Sequence, residues 1–452
     1  MYLTQSNVIR GLAKAEYSIL RELCAYAKNL YNVGLYNIRQ HYFAEKSFLS
    51  YESNYHVCKD NENYKLLQAG ISQQILKVVD RSFKSFFNLV KKAKDGEYRF
   101  KDIRMPNYLR QGELFPLILS TNAIFVSDGR LNVPMSNAFK AKYPRLKTCG
   151  ECERSMCNEH ERSSCAVHTN RTHAAHANRI TLPFPERLSG KTIKEVRILP
   201  VYGGQYFKVQ YVYEAEAENL SLNRDNALGI DIGLENLATC ADSRNGTPFI
   251  MDGRKLKSIN HYYNKRRARL QGIADKQGAK TTKRLNRLTH RRNNQCNDHI
   301  KKTARHIINH CIANDIGTVV VGCNEQFKQS MNLGRRVNQQ FTQISFGALR
   351  EQLKNLCGRY GMEYVEQEES YTSKASFLDG DEMPVFNPYQ PGIEHKFSGR
   401  RVSRGLYRSG DGTLINADVN GAYNILRKSK QNFSFEKLCT GTVAVPVRIR
   451  LV

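Results

Sequence analysis

Three acidic positions, far apart in the chain, carry the side chains that could hydrolyse a phosphodiester. Asp231 stands in an apolar run between Ile230 and Ile232, where a charge is costly unless it reaches a sheet surface or meets a cation. Glu368 and Glu369 are adjacent at the end of a strand-like stretch, just before Tyr371-Thr372-Ser373. Asp418 opens a helix-like stretch, INADVNGAYNILRK, where an acid also commonly serves as a cap or first-turn charge. Two-cation hydrolysis asks for two or three carboxylates that converge on ions roughly 4 Å apart. Mg2+, or Mn2+ in its place, takes such hard oxygen ligands. Each acid alone says little. Their order, one in an early strand, one after a late strand and one at a final helix start, is that of an RNase H-like nuclease.

A second group has the types and spacings of a zinc site. Cys149, Cys152, Cys157 and Cys165 lie with His160, His168, His173 and His176 in one short segment, 149–176. A Cys-x-x-Cys pair followed by further Cys and His suits tetrahedral zinc, which would staple a small insert. The four cysteines are the first choice of ligands, with His160 or His168 as substitutes. A polar loop that happens to be rich in Cys and His is the alternative.

The elements that must position these groups can be read from periodicity. Residues 1–10 read as a strand. Leu20, Leu23, Ala27, Leu30, Tyr31, Gly34 and Ile38 share one face of a long helix. Ile75, Val79, Phe83, Phe86 and Val90 form the stripe of a second helix over about 71–92. Thr192 to Tyr213 reads as a hairpin turning at Gly203-Gly204. From Ala227 the pattern becomes α/β: a strand with a glycine turn over 227–242, a strand at 248–252, and a long basic helical stretch over 254–312. A buried strand, GTVVVG, follows at 317–322, then a helix over 341–361, a strand over 363–367, a loop-rich basic insert over 372–416 and a helix over 418–428.

The formal net charge is +27, from 69 Lys and Arg against 42 Asp and Glu. Such an excess repels itself unless a polyanion neutralises it, and nucleic acid is the commonest polyanion in a cell. Lys265, Arg266, Arg267, Lys283, Arg284, Arg287 and Arg291 crowd the long helical stretch, and Lys396, Arg400 and Arg404 fall in the insert; these are the candidate nucleic-acid contacts. No signal peptide and no apolar run of membrane-spanning length is visible, so a cytoplasmic, nucleoid-associated bacterial protein with reduced thiols is expected.

The string DNALGIDIGLENLATCAD resembles the first RuvC motif of the TnpB family of transposon-encoded, RNA-guided nucleases. INADVNGAYNILRK resembles that family's third motif, SYTSKAS its Tyr-Thr-Ser stretch, and NQQFTQISFGALREQLKNLCGRYGMEYV the helix and strand before it. The likeness covers residues 190–430 well and the N-terminal half loosely, and it extends to type V CRISPR effectors and Fanzor proteins. It implies an α/β fold with an RNase H-like RuvC core over 225–452, interrupted by a target-nucleic-acid-binding insert at 374–416. It further implies a β-barrel-like wedge domain over 1–12 and 100–224, carrying a helical recognition domain at 13–99. The implied partners are a guide RNA from the transposon end and double-stranded DNA bearing a short flanking motif.

Two departures from the family matter. Many members place a Glu directly after the GTVVV strand, where this chain has Gly322, with Glu325 three residues on. In one branch the acid comes from just before Tyr-Thr-Ser, which here points to Glu369 ahead of Glu368. The resemblance thus assigns Asp231, Glu369 and Asp418 as the Mg2+ ligands and catalytic acids. Many members also hold zinc on two Cys pairs flanking the insert, but Ser376 to Asp379 and Arg404 to Tyr407 stand there without cysteine. An RNA-guided DNA endonuclease is the leading expectation. A nuclease-inactive RNA-guided regulator, supported by Gly322, and a transposition accessory protein are the alternatives.

Overall fold

The computed structural model describes residues 1–142, 180–244, 247–323, 343–385, 395–429 and 445–451. The chain forms two compact units, Met1–Ala215 and Glu216–Val452.

In the first unit, helix α1 (Lys14–Glu45) buries all seven residues of the expected stripe, together with Cys24 and Leu35. Gln68 caps α4 (Ala69–Lys94), which packs on α1 with Ile71, Ile75, Val79 and Phe83 buried. A Cβ at Gly34 would lie 2.7 Å from the Leu76 side chain, so glycine is what lets the two helices approach. Short helices α2 (Tyr51–Cys58) and α3 (Glu62–Leu66) join them, and α5 (Asn137–Lys142) packs against α3.

Strands β1 (Tyr2–Val8), β7 (Tyr206–Glu214), β6 (Ile193–Val201) and β2 (Leu117–Ser120) form an antiparallel sheet in that order. The β6–β7 turn takes positive φ at Tyr202, Gly203 and Gly204, which glycine allows at little cost. Val196, Ile198, Phe207, Val209 and Tyr211 form its buried face. A separate sheet holds β3 (Phe125–Ser127), β4 (Arg130–Val133) and β5 (Ile180–Pro183). The barrel-like closure expected of this region is not found among the described residues. After β2 the chain makes a short 3-10 turn, Thr121–Ala123, and enters the second sheet, leaving β1 and β2 as open edges of the first.

The second unit is built on a six-stranded sheet: β12 (Glu363–Glu368), β11 (Thr318–Cys323), β8 (Ala227–Asp231), β9 (Asn236–Asp242), β10 (Phe249–Asp252) and β16 (Val447–Ile449). Strands β8, β9 and β10 are an antiparallel meander, while β11 runs parallel to both β8 and β12. Every residue of β11 is buried, as a strand covered on both faces must be.

The basic stretch is two helices rather than one, α6 (Arg254–Lys276) and α7 (Lys283–Ala313). The chain turns between them at Gly278, φ 65°. The side chain of Thr282 caps α7, accepting the Leu285 N–H at 3.2 Å. Ile300, Ala304, Ile307, Ile308 and Cys311 of α7, with Leu349, Leu353 and Cys357 of α8 (Phe346–Tyr360), lie in one core with the sheet. Gly361, φ 72°, ends α8. The insert folds as a small sheet of β13 (Arg400–Ser403), β14 (Leu406–Arg408) and β15 (Leu414–Asn416), and α9 (Ala417–Lys428) follows it directly.

Helix α9 lies against β8 with very little space between them. A Cβ at Gly229 of β8 would meet the Ala422 carbonyl oxygen at 2.5 Å and Leu426 Cγ at 2.6 Å. Gly229→Ala therefore forces backbone apart and should destabilise the chain by about 1–3 kcal/mol, as overpacking typically does. A lower denaturant midpoint on chemical unfolding checks it.

Candidate active site

Asp231 ends β8 and Asp418 sits in the first turn of α9. Asp418 is not the cap. Asn416 caps α9, its side-chain oxygen accepting the N–H groups of Asp418 at 3.0 Å and Val419 at 3.2 Å. The Asp418 carboxylate is thereby left to face outward. It accepts Asn236 Nδ2 at 2.5 Å, and Arg401 lies 3.7 Å away. Asn236 opens β9, and nothing in its local sequence sets it apart from an ordinary strand residue.

Glu369 follows β12, next to the end of β11. Its Oε2 lies 2.8 Å from where a Cβ on Gly322 would stand. The acid supplied by β12 thus occupies the space that a side chain at Gly322 would enter. In the same way Asp231 Oδ2 lies 2.9 Å from the Cβ position of Gly421 on α9. Two glycines leave the room that two carboxylates fill.

Glu368 has a different surrounding. Its Oε2 accepts Lys428 Nζ at 2.5 Å and its Oε1 the Ser370 N–H at 2.6 Å. Burial alone would raise this carboxyl, but the Lys428 and Ser370 hydrogen bonds outweigh it and hold it below the usual carboxylate range. Glu369 is shifted the opposite way: burial and the neighbouring Glu368 charge raise it, and Arg350 opposes them. Burial pushes Asp231 up to about 8, with the charges of Asp418 and Glu369 adding to it and Arg401 counteracting. Two carboxylates that raise a third in this way lie in its electrostatic neighbourhood.

Asp231, Asp418, Asn236, Glu235, Arg401 and Arg404 all line one cavity of about 520 Å³. Arg404 reaches Glu235 at 2.9 Å, and Lys257 meets the same carboxylate at 2.8 Å. Arg404, expected to contact nucleic acid, here closes on an acid at the cavity wall. Arg400 is exposed and does not line this cavity, whereas its neighbour Arg401 does, because successive residues of a strand point to opposite faces.

The donor set suits a hard divalent cation, since the acids gathered here offer carboxylate oxygens only. Among the described residues, however, no three His, Cys, Asp or Glu side chains are gathered closely enough to hold one ion. Asp418 and Glu369 both act electrostatically on Asp231, but of the three only Asp231 and Asp418 line the cavity.

The other expected residues are placed as follows. Lys265 and Arg267 on α6, Lys283, Arg284, Arg287 and Arg291 on α7, and Lys396 are exposed, and Arg266 is half-buried. Cys149, Cys152, Cys157 and Cys165, with His160 and His168, lie outside the described residues, as does Glu325. No helix among the described residues is long and apolar enough to cross a membrane.

A family model described as a probable transposase, OrfB_IS605, matches residues 210–327, and one for the TNB domain of Cas12f1-like proteins matches residues 346–425. No curated protein matches the chain. Among solved structures, a Cas12f1–sgRNA–target DNA complex is similar over 91% of this chain and 83% of that one, at 14% identity and a TM-score of 0.57. The mini-RNA-guided endonuclease CRISPR-Cas phi3 aligns over 95% of this chain and 92% of that one, at 10% identity and a TM-score of 0.48. The first of these likenesses extends to the fold as a whole. The motifs around Asp231 and Asp418 fall inside the two matched stretches, so over these residues the chain is similar to OrfB_IS605 (probable transposase, TnpB) and Cas12f1-like proteins.

Proposed function

We propose that the chain is an RNA-guided DNA endonuclease that hydrolyses phosphodiesters at Asp231, Glu369 and Asp418, with a divalent cation, Mg2+ or Mn2+, as cofactor. The observation that carries this reading is the placement of the Glu369 carboxylate over Gly322. It offsets the acid missing from β11 and supports an active nuclease over an inactive binder. The strand order β12-β11-β8-β9-β10, with an antiparallel meander and two parallel strands, supports an RNase H-like, RuvC-type core. The N-terminal unit would serve as wedge and recognition region, and a guide RNA and double-stranded DNA would be the partners. The solved Cas12f1 complex holds an sgRNA and target DNA, which supports the same partner classes here.

In this reading Asp231, Glu369 and Asp418 would hold the divalent cation. Asn236 orients Asp418 through its 2.5 Å hydrogen bond. Arg401 tempers the acidic cluster until nucleic acid arrives. When bound, the cation polarises the scissile phosphodiester and offsets the charge developing on it. The exposed cations of α6 and α7 would hold backbone phosphates, which fix position without reading sequence.

Sequencing the RNA that copurifies with the protein, then assaying cleavage of a matching DNA, tests the reading. Asp231→Ala, Glu369→Gln and Asp418→Ala should each cut at least about 100-fold more slowly, the upper range for loss of even an outer partner of a metal ligand. DNA binding should be retained. Parent protein that binds its target but leaves it uncut would instead establish the inactive regulator.

Replacing Lys283, Arg284, Arg287 and Arg291 by Gln should flatten the dependence of log affinity on log salt by about 0.7–0.9 for each phosphate no longer neutralised. A binding titration at several salt concentrations checks this. For the segment 149–176 we propose a structural zinc on Cys149, Cys152, Cys157 and Cys165. Elemental analysis should find about one zinc per chain, absent from Cys149→Ser/Cys152→Ser.

A further inference from the structure

Helix α9 carries a second polar row besides Asp418. Asn420, Asn424 and Lys428 stand four residues apart, hence on one face, and all three reach the turn that follows β12. Asn420 Nδ2 donates to the Ala375 carbonyl at 2.8 Å, and its Oδ1 accepts the Phe377 N–H at 2.9 Å. Asn424 Nδ2 donates to the carbonyls of Thr372 at 2.9 Å and Ala375 at 2.8 Å. Lys428 Nζ donates to Glu368 Oε2 at 2.5 Å, to the Ser370 carbonyl at 2.8 Å and to the Pro384 carbonyl at 3.2 Å.

The Lys428 side chain is only 7% exposed. A buried ammonium is tolerated only when its donors are satisfied, and here its three protons meet three oxygens. The turn they hold is strained: Tyr371 has φ 66°, in the left-handed region that non-glycine residues rarely adopt. Such a conformation persists where the surroundings over-determine it. Glu369 sits between Glu368 and Ser370, two of the three residues that Lys428 holds.

We infer that Lys428, through its hydrogen bonds to Glu368 and Ser370, is the positioning residue that aims the Glu369 carboxylate over Gly322. Asn420 and Asn424 anchor the far side of the same turn. One helix then sets two acids relative to each other: it carries Asp418 on its first turn and holds the Glu369 turn from its last. Glu368 is on this account an anchor rather than a ligand. The inference rests on the reading of Glu369 as a cation ligand.

The test uses the ribonucleoprotein as purified with its copurifying RNA, and Mn2+ binding read by electron paramagnetic resonance, so that it does not depend on turnover. Lys428→Met and Glu368→Ala should each weaken Mn2+ binding by about tenfold, the lower range for loss of an outer partner of a metal ligand. RNA content and thermal midpoint are followed in parallel. Lys428→Arg, which keeps a cationic donor, should recover most of the affinity. Glu368 is 38% exposed at its side chain, so Glu368→Ala carries the test if Lys428→Met fails to fold. Parent-like Mn2+ affinity in Lys428→Met and Glu368→Ala, with weakened affinity in Glu369→Gln, would overturn the positioning role and leave the site reading intact. Parent-like affinity in Glu369→Gln would remove the site reading and this inference with it.

Discussion

The close seating of α9 on β8 and β11 is the packing on which the candidate site depends. A Cβ on Gly229 would strike the helix backbone, one on Gly322 would strike Ile425 at 2.6 Å, and one on Gly421 would strike the Asp231 carboxylate. Packed interiors have little slack, so these three glycines set how near the helix can come. Because it comes so near, the first turn of α9 delivers Asp418 beside the end of β8, and its Ile425 lies against β11. Val419, Ala422, Tyr423, Ile425 and Leu426 are buried in the core that holds the helix there.

The same packing lets an acid just after β12 reach the space above the end of β11. Strands β11 and β12 are parallel neighbours, in register from Thr318 with Glu363 to Cys323 with Glu368. A carboxylate one residue past the end of β12 can therefore cover the ground above the end of β11. That requires the position on β11 to be small, and it is glycine. It also requires the turn after β12 to be held, and the polar row of α9 holds it. The glycine on β11, the acid after β12 and the hydrogen bonds from the helix that packs on both thus fit together.

The insert gives a parallel case. Its loop is tied by carboxylates and hydroxyls. Asp381 Oδ2 accepts the N–H groups of Ser376 at 2.7 Å and Ser398 at 3.0 Å, and Asp379 Oδ2 accepts that of Gly410 at 2.6 Å. Charge-assisted hydrogen bonds of this kind are the stronger ones. They tie the loop that leads into β13, whose Arg401 meets Asp418 at the cavity wall, while Arg404 just after it meets Glu235.

Periodicity and charge, which act over a few residues, are readable without coordinates. The stripes of α1 and α4, the β6–β7 hairpin, the buried β11, the glycine end of α8, and Asp231 as a misplaced charge all follow from local spacing and side-chain solvation. The break between α6 and α7 does not, because a run of basic residues masks a turn that only Gly278 and the Thr282 cap announce. Tertiary packing decided what local spacing could not. Local spacing treats Glu368 and Glu369 alike, with only the family resemblance ranking Glu369 first, and it is Lys428, 60 residues on, that claims Glu368. Asn236 gains its part from an acid 182 residues away, and Arg401 rather than Arg400 faces the cavity because strand pleat and sheet placement choose one side. Side-chain type is a local property, but which carboxylate is left facing its neighbours depends on which others have been claimed by hydrogen bonds, and those partners are brought near only by the fold.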